Sequence, residues 1–111
     1  MARTAEQRDP AFLIDMVMAA RDALSFVQGI DEAAFMASTL HQNAVIRSLE
    51  VIGEAASKVS PATRASLANV AWGEIIAMRN RLIHGYHAVS LERVWLTVRE
   101  DLRPLIAALG Y

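Results

Sequence analysis

The sequence predicts an all-α protein, folded as an up-and-down bundle of four to five helices. Apolar residues recur at spacings of three and four along most of the chain, which is the period of a helix and not the alternation of a strand. Only two Trp, two Tyr and three Phe occur among 111 residues, while Ala and Leu are plentiful, a balance that favours helix over sheet. Three prolines and five glycines are too few for a disordered or linker-rich array. With no internal repeat or low-complexity stretch, residues 1–111 are expected to form a single domain with one modest core.

Taken in order, Asp9-Pro10 predicts the first helix start, with Asp able to cap and Pro tolerated at the first helical position. Leu13, Met16, Val17, Ala20, Leu24 and Val27 supply its apolar stripe, and Gly29 ends it. Asp31 opens a second helix that carries Phe35, Val45, Leu49, Ile52, Ala56 and Val59 and ends near residues 57–60. Ser60-Pro61 restarts the chain as a short helical turn to about Leu67. A third main helix covers 72–83, with Ile75, Ile76, Met78, Leu82 and Ile83 as its apolar residues and Gly85 as its stop. Ser90 caps a fourth, whose stripe is Leu91, Val94, Trp95, Val98, Leu102, Leu105 and Ile106; Pro104 should kink or loosen it. Two of these helices can bury only one face within one protomer, so a homodimer is expected.

The composition excludes several classes of function. The absence of cysteine removes a disulfide scaffold and a thiolate metal site, and fits a reducing cytoplasm. The N-terminus shows no basic run followed by an apolar stretch. No segment approaches the roughly 20 apolar residues of a membrane span. The expectation is a soluble, cytoplasmic protein with no membrane partner. The net charge of −1 gives no support to generic coating of nucleic acid. Its distribution is uneven: residues 1–57 hold four basic and eight acidic side chains, and residues 58–111 hold seven basic and four acidic.

The positive half contains the most informative segment, residues 79–86, which read Arg79-Asn80-Arg81-Leu82-Ile83-His84-Gly85-Tyr86. Two guanidiniums, an amide, an imidazole and a phenol gather at one helix end. Phosphodiester cleavage needs a fixed cation near the phosphate and a group that moves protons near neutral pH, and Arg79 and His84 supply one of each. Five residues apart, they stand about 140° apart on a regular helix, whereas Asn80 and His84 share a face. Convergence on one phosphate then depends on the long arginine stem, the break at Gly85 and a second protomer across a cleft.

The chemistry these residues suit is metal-independent RNA cleavage. His84 would act as general base on the ribose 2′-hydroxyl or as general acid on the leaving 5′-oxygen. Arg79 would neutralise charge developing on the phosphorane-like transition state. Asn80 could orient the histidine or hold a phosphate oxygen, Arg81 adds a further cation for RNA, and Tyr86 could stack on a base. No Asp/Glu cluster lies nearby in the sequence to hold Mg²⁺, and neither a metal nor a cofactor is expected.

Plainer roles stay open for each residue. His84 could interact with the helix dipole, Arg79 could pair with Glu74 or an acid of the second helix, and Tyr86 could be a packed aromatic. Arg47, Glu50, Glu54 and Lys58 form a charged stripe on the second helix. It is either an ordinary ion-pair ladder or a source of two cleft residues, Arg47 and Glu54. His41 and His87 read as surface residues, not as metal ligands.

Arg79-Asn80, followed four residues on by His84 and then by Tyr86, resembles the arginine–four-residue–histidine signature of HEPN domains. The version with a tyrosine two residues past the histidine is similar to that of the HepT-like toxins. Residues 44–55, Ala44-Val45-Ile46-Arg47-Ser48-Leu49-Glu50-Val51-Ile52-Gly53-Glu54-Ala55, resemble the family's second-helix pattern, and Trp72 and Leu91-Glu92-Arg93-Val94-Trp95 also fit. The resemblance implies a four- or five-helix HEPN bundle, usually a homodimer, with the motif lining a cleft at the dimer interface. It implies a ribonuclease toxin of a type VII-like two-component system. Its antitoxin would be a minimal nucleotidyltransferase of the MntA type, which transfers AMP from ATP to the motif tyrosine, here Tyr86. The bulk and negative charge so added would block the cleft. Two other functions compete: a non-catalytic helical subunit that presents substrate or nucleotide to a nucleotidyltransferase, and a structural dimer with no ligand.

Overall fold

A computed structural model describes residues 3–85 and 89–111. Among these residues seven α-helices follow one another: α1 (Ala5–Phe26), α2 (Glu32–Met36), α3 (Thr39–Lys58), α4 (Pro61–Ser66), α5 (Trp72–His84), α6 (Leu91–Leu96) and α7 (Leu102–Ala108). A π-helical turn, Thr97–Asp101, joins α6 to α7 without a break. No strand occurs among the described residues. The all-α expectation holds, with α1, α3, α5 and the α6–α7 rod as the four main elements.

The first helix starts earlier than Asp9-Pro10 suggests. Thr4 is its N-cap: its hydroxyl accepts from the Gln7 N–H while the Gln7 side chain accepts from the Thr4 N–H. This reciprocal box satisfies two donors that the helix cannot, so Pro10 falls inside α1. Asp9 is freed from capping and is buried instead, 1% exposed. It accepts from the Ser60 N–H at 3.0 Å and from the hydroxyls of Ser60 and Thr63. The start of α1 is thereby fixed to the start of α4, just past the end of α3, so α1 and α3 run antiparallel.

The predicted second helix is two. Asp31 caps α2 by accepting from the Ala34 N–H at 2.8 Å, but the chain breaks at Ala37 and Ser38. Ser38 then caps α3, accepting from the His41 N–H. Gln42 donates to the carbonyls of Phe35 and Met36, each at 3.0 Å, which satisfies the open end of α2. His41 is half-buried with Nδ1 2.6 Å from the Ser38 hydroxyl, so it serves the cap. The break turns Phe35 fully inward, where its ring lies 5.3 Å from that of Trp95 at 38°, a tilted pair of a kind worth about 0.5–1.5 kcal/mol beyond its buried area.

Arg64 closes the far end. Its guanidinium donates to the carbonyls of Ala56, Ser57 and Val59 at the C-terminus of α3. It also lies 5.9 Å from the Trp72 ring, and Trp72 Nε1 donates to the Leu67 carbonyl at 3.1 Å. The end of α3 and the start of α5 therefore meet at one junction, and α5 runs back antiparallel along α3. The centre of the bundle is α3, flanked by α1 and α5, with the α6–α7 rod lying across α1 and α3. Pro104 lacks an N–H and its ring crowds the carbonyl of residue 100. The wide turn Thr97–Asp101 lies just ahead of it, which is the loosening the sequence predicts.

Candidate active site

The packing of α5 decides what each residue of the octet can do. Its extensive packing is against α3 alone, and successive residues advance by about 100° around its axis. Trp72, Ile75, Arg79 and Leu82, spaced by three, four and three, form the seam toward α3. Trp72 and Leu82 are buried, while Ile75 and Arg79 are half-buried. Arg79 thus occupies a seam position that an apolar residue would ordinarily fill.

Gly53 of α3 makes room for it. A methyl group at Gly53 would collide with the Arg79 Cβ, and would stand 2.8 Å from its Cγ and 3.1 Å from the Ile75 carbonyl oxygen. Side-chain carbon cannot be that close to two sets of atoms at once. The two helices therefore touch backbone to stem at this crossing. A glycine inside a helix costs about 0.5–1 kcal/mol relative to alanine, and close approach is what offsets that cost here. In the sequence, Gly53 shows itself only as an isolated glycine in the middle of a strong helical pattern.

From the seam the Arg79 side chain turns to the outer flank of α5. One of its terminal nitrogens donates to Asn80 Oδ1 at 3.2 Å. Asn80 is exposed, and His84, one turn further on, is the last residue of α5 and is also exposed. The backbone keeps Arg79 and His84 about 140° apart, and no direct bond joins them among the described residues. The arginine stem spans part of that angle, so guanidinium, amide and imidazole run along one flank. Gly85 ends the helix at φ 138°, ψ 141°, a conformation that L side chains rarely adopt. Tyr86 and His87 lie outside the described residues.

Arg79 does not make the ion pair open to it on sequence grounds. The ion pairs among the described residues are Glu54–Lys58 at 3.7 Å and Arg93–Asp101 at 3.3 Å, so no carboxylate neutralises the guanidinium. The α3 charge stripe is a ladder with that single rung, and Arg47 is exposed without an acid partner among the described residues. Arg81 is separated from its neighbour cation. It stands about 200° from Arg79 and lines a groove of about 590 Å³ between α5 and the α6–α7 rod, with Glu74 and Met78. No three His, Asp or Glu side chains converge as a metal ligand set among the described residues. No helix among them is long and apolar enough to cross a membrane.

The family described as Ribonuclease HepT-like matches residues 16–111. This chain belongs to the HepT-like ribonuclease family. The match spans α3, α5 and the octet together, and ribonuclease is accordingly the activity class of the chain. Among similar proteins, one of Methanocaldococcus jannaschii named "Putative RNase MJ1380" is 38% identical over 92 residues, covering 83% of this chain and 84% of that protein. One of Thermococcus cleftensis named "Probable ribonuclease HepT" is 34% identical over 94 residues, covering 85% of this chain and 86% of its own length. No solved structure matches the chain significantly. In this HepT-like ribonuclease the outer flank of α5 carries the Asn80 amide, the Arg79 guanidinium bonded to it, which has no ion-pair partner among the described residues, and, one turn on from Asn80, the exposed His84.

Proposed function

We propose that this HepT-like ribonuclease is a metal-independent endoribonuclease toxin that cleaves RNA through Arg79 and His84. The observation that carries the reading is the Arg79 guanidinium, which leaves the α3 seam, bonds Asn80 and has no carboxylate within ion-pair distance among the described residues. An unneutralised guanidinium held by its own stem is a preorganised seat for a phosphate. His84 takes the proton from the 2′-hydroxyl as its oxygen attacks phosphorus, or gives one to the departing 5′-oxygen. Arg79 offsets the extra negative charge of the pentavalent transition state. The products are a 2′,3′-cyclic phosphate and a 5′-hydroxyl.

A second copy of the chain completes this site. Ile83 is 45% exposed and Ile76 half-buried on the same outer flank, so a partner seated there would cover apolar surface. It would also bring a second His84, so that one imidazole can serve as base and the other as acid. Tyr86 follows the helix stop directly. A cognate MntA-like nucleotidyltransferase would transfer AMP from ATP to its phenolic oxygen, releasing pyrophosphate. The adenylyl phosphate would then occupy the place of the RNA phosphate.

Purified protein is expected to cut RNA in excess EDTA and to leave cyclic or 3′-phosphate ends, with His84→Ala inactive. A requirement for Mg²⁺ would overturn the mechanism. Intact RNA with both wild-type protein and His84→Ala would overturn the enzyme reading in favour of a non-catalytic subunit. With the partner and ATP, the mass should rise by adenylyl units in wild type and stay unchanged in Tyr86→Phe.

A further inference from the structure

We infer that Gly53 is a positioning residue for the cleavage reaction, setting the place of the Arg79 guanidinium by letting α3 and α5 touch at this one crossing. The inference rests on the reading of Arg79 as the phosphate-binding cation. Arg79 reaches the outer flank from a seam position, so the point at which its stem leaves the seam fixes where its guanidinium arrives. That point is set by contact: a methyl at Gly53 meets the Arg79 Cβ and Cγ and the Ile75 carbonyl oxygen, two parts of α5 in adjacent turns. Neither the Arg79 Cβ nor the Ile75 carbonyl can swing aside as the end of a flexible side chain can. Relief of the collision must come from moving or rotating α5 against α3.

Among the described residues, few other helix contacts resist that movement. The extensive packing of α5 is on α3 alone, and its N-terminal end is held at the Arg64–Trp72 junction. A push at Gly53 should therefore pivot the half of α5 that carries Arg79, Asn80 and His84, leaving the junction in place. Displacement of a charge-stabilising group by about 1 Å can cost on the order of 100-fold in rate. The local helix would not suffer, because alanine is a better helix former than glycine.

The test compares Gly53→Ala with Gly73→Ala. Gly73 is a helical glycine of α5 around which an added Cβ meets nothing within 4 Å, so its variant should cleave RNA like wild type. Gly53→Ala should retain its helical circular dichroism and yet lose at least about tenfold in kcat, with KM changed less than about threefold. The side-chain Nε–Hε resonance of Arg79, assigned with Arg79→Lys, should shift in Gly53→Ala and stay in place in Gly73→Ala. Wild-type kcat in Gly53→Ala would overturn the inference, as would an unmoved Arg79 resonance. So would a loss of activity that only tracks the fraction of unfolded protein across temperature. If Arg79→Ala itself cleaves normally, the assignment of the site fails and the inference falls with it. That result is distinct from an inactive Arg79→Ala beside a fully active Gly53→Ala, which refutes the positioning role alone.

Discussion

Ser60 donates its backbone N–H to Asp9 Oδ1 at 3.0 Å, linking points 51 residues apart in the chain. Burial on its own would raise the Asp9 carboxyl. The hydroxyls of Ser60 and Thr63, the Ser60 N–H and the charge of Arg8 outweigh it and hold the group below its ordinary value. A carboxyl lowered in the folded state stabilises the fold above its unfolded pKa, near 4. That contribution is lost as the pH falls through the folded value. Asp9→Asn is expected to lower stability by about 1–3 kcal/mol at pH 7, as a buried hydrogen-bond cluster loses its charge. The gap between variant and wild type should shrink below about pH 4. Urea unfolding across that range checks it, and a gap that stays constant with pH would show that the carboxylate charge has no part.

Arg64 should matter for stability and not for chemistry. Three carbonyls at the end of α3 accept from it, and it stacks on Trp72. Removing a charged donor from such a set costs about 1.5–3 kcal/mol. For a domain of this size, that corresponds to a fall in Tm on the order of 5–15 °C for Arg64→Ala. Calorimetry measures it. Below the lowered Tm, kcat should remain within a few-fold of wild type.

What the sequence revealed and what it hid follow one physical division. The octet was legible because its chemistry is contiguous: Arg79, Asn80 and His84 lie within six residues, and helix geometry alone relates them. The four main helices were legible because their stripes are long and periodic. Gly53 was not, since a glycine's meaning depends on which helix crosses over it. The role of Asp9 was hidden by competing local signals, where an Asp-Pro start lost to the Thr4–Gln7 box one turn earlier. The break at Ser38 was masked because apolar residues keep near-helical spacing on both sides of it, so only the hydroxyl cap marks the boundary.

The Glu54–Lys58 rung should prove almost neutral. Both side chains are about half exposed, and the pair is four residues apart on one helix at 3.7 Å. Exposed pairs of this kind contribute about 0.3–0.5 kcal/mol. Lys58→Ala is expected to shift stability by less than about 1 kcal/mol in urea titration and to leave RNA cleavage unchanged. A large fall in kcat would instead place this end of the α3 stripe in the cleft.

On the proposed mechanism Arg79 meets the phosphate and Asn80 aims it, so the two should differ in how much they contribute. Arg79→Ala removes the cation and is expected to lower kcat by about 10²–10³-fold, the range typical of losing one group that stabilises transition-state charge. Arg79→Lys keeps a charge on the α3 seam but loses the planar fork that can hold a phosphate oxygen pair. Its kcat should fall between that of Arg79→Ala and wild type. Asn80→Ala frees the guanidinium from its 3.2 Å bond and should reduce kcat by about tenfold, the equivalent of roughly 1.4 kcal/mol. Single-turnover cleavage of a short RNA orders the three. If Arg79→Lys matched wild type, charge alone would suffice and the fork would have no role. If Asn80→Ala were as slow as Arg79→Ala, Asn80 would be contacting the reacting phosphate itself.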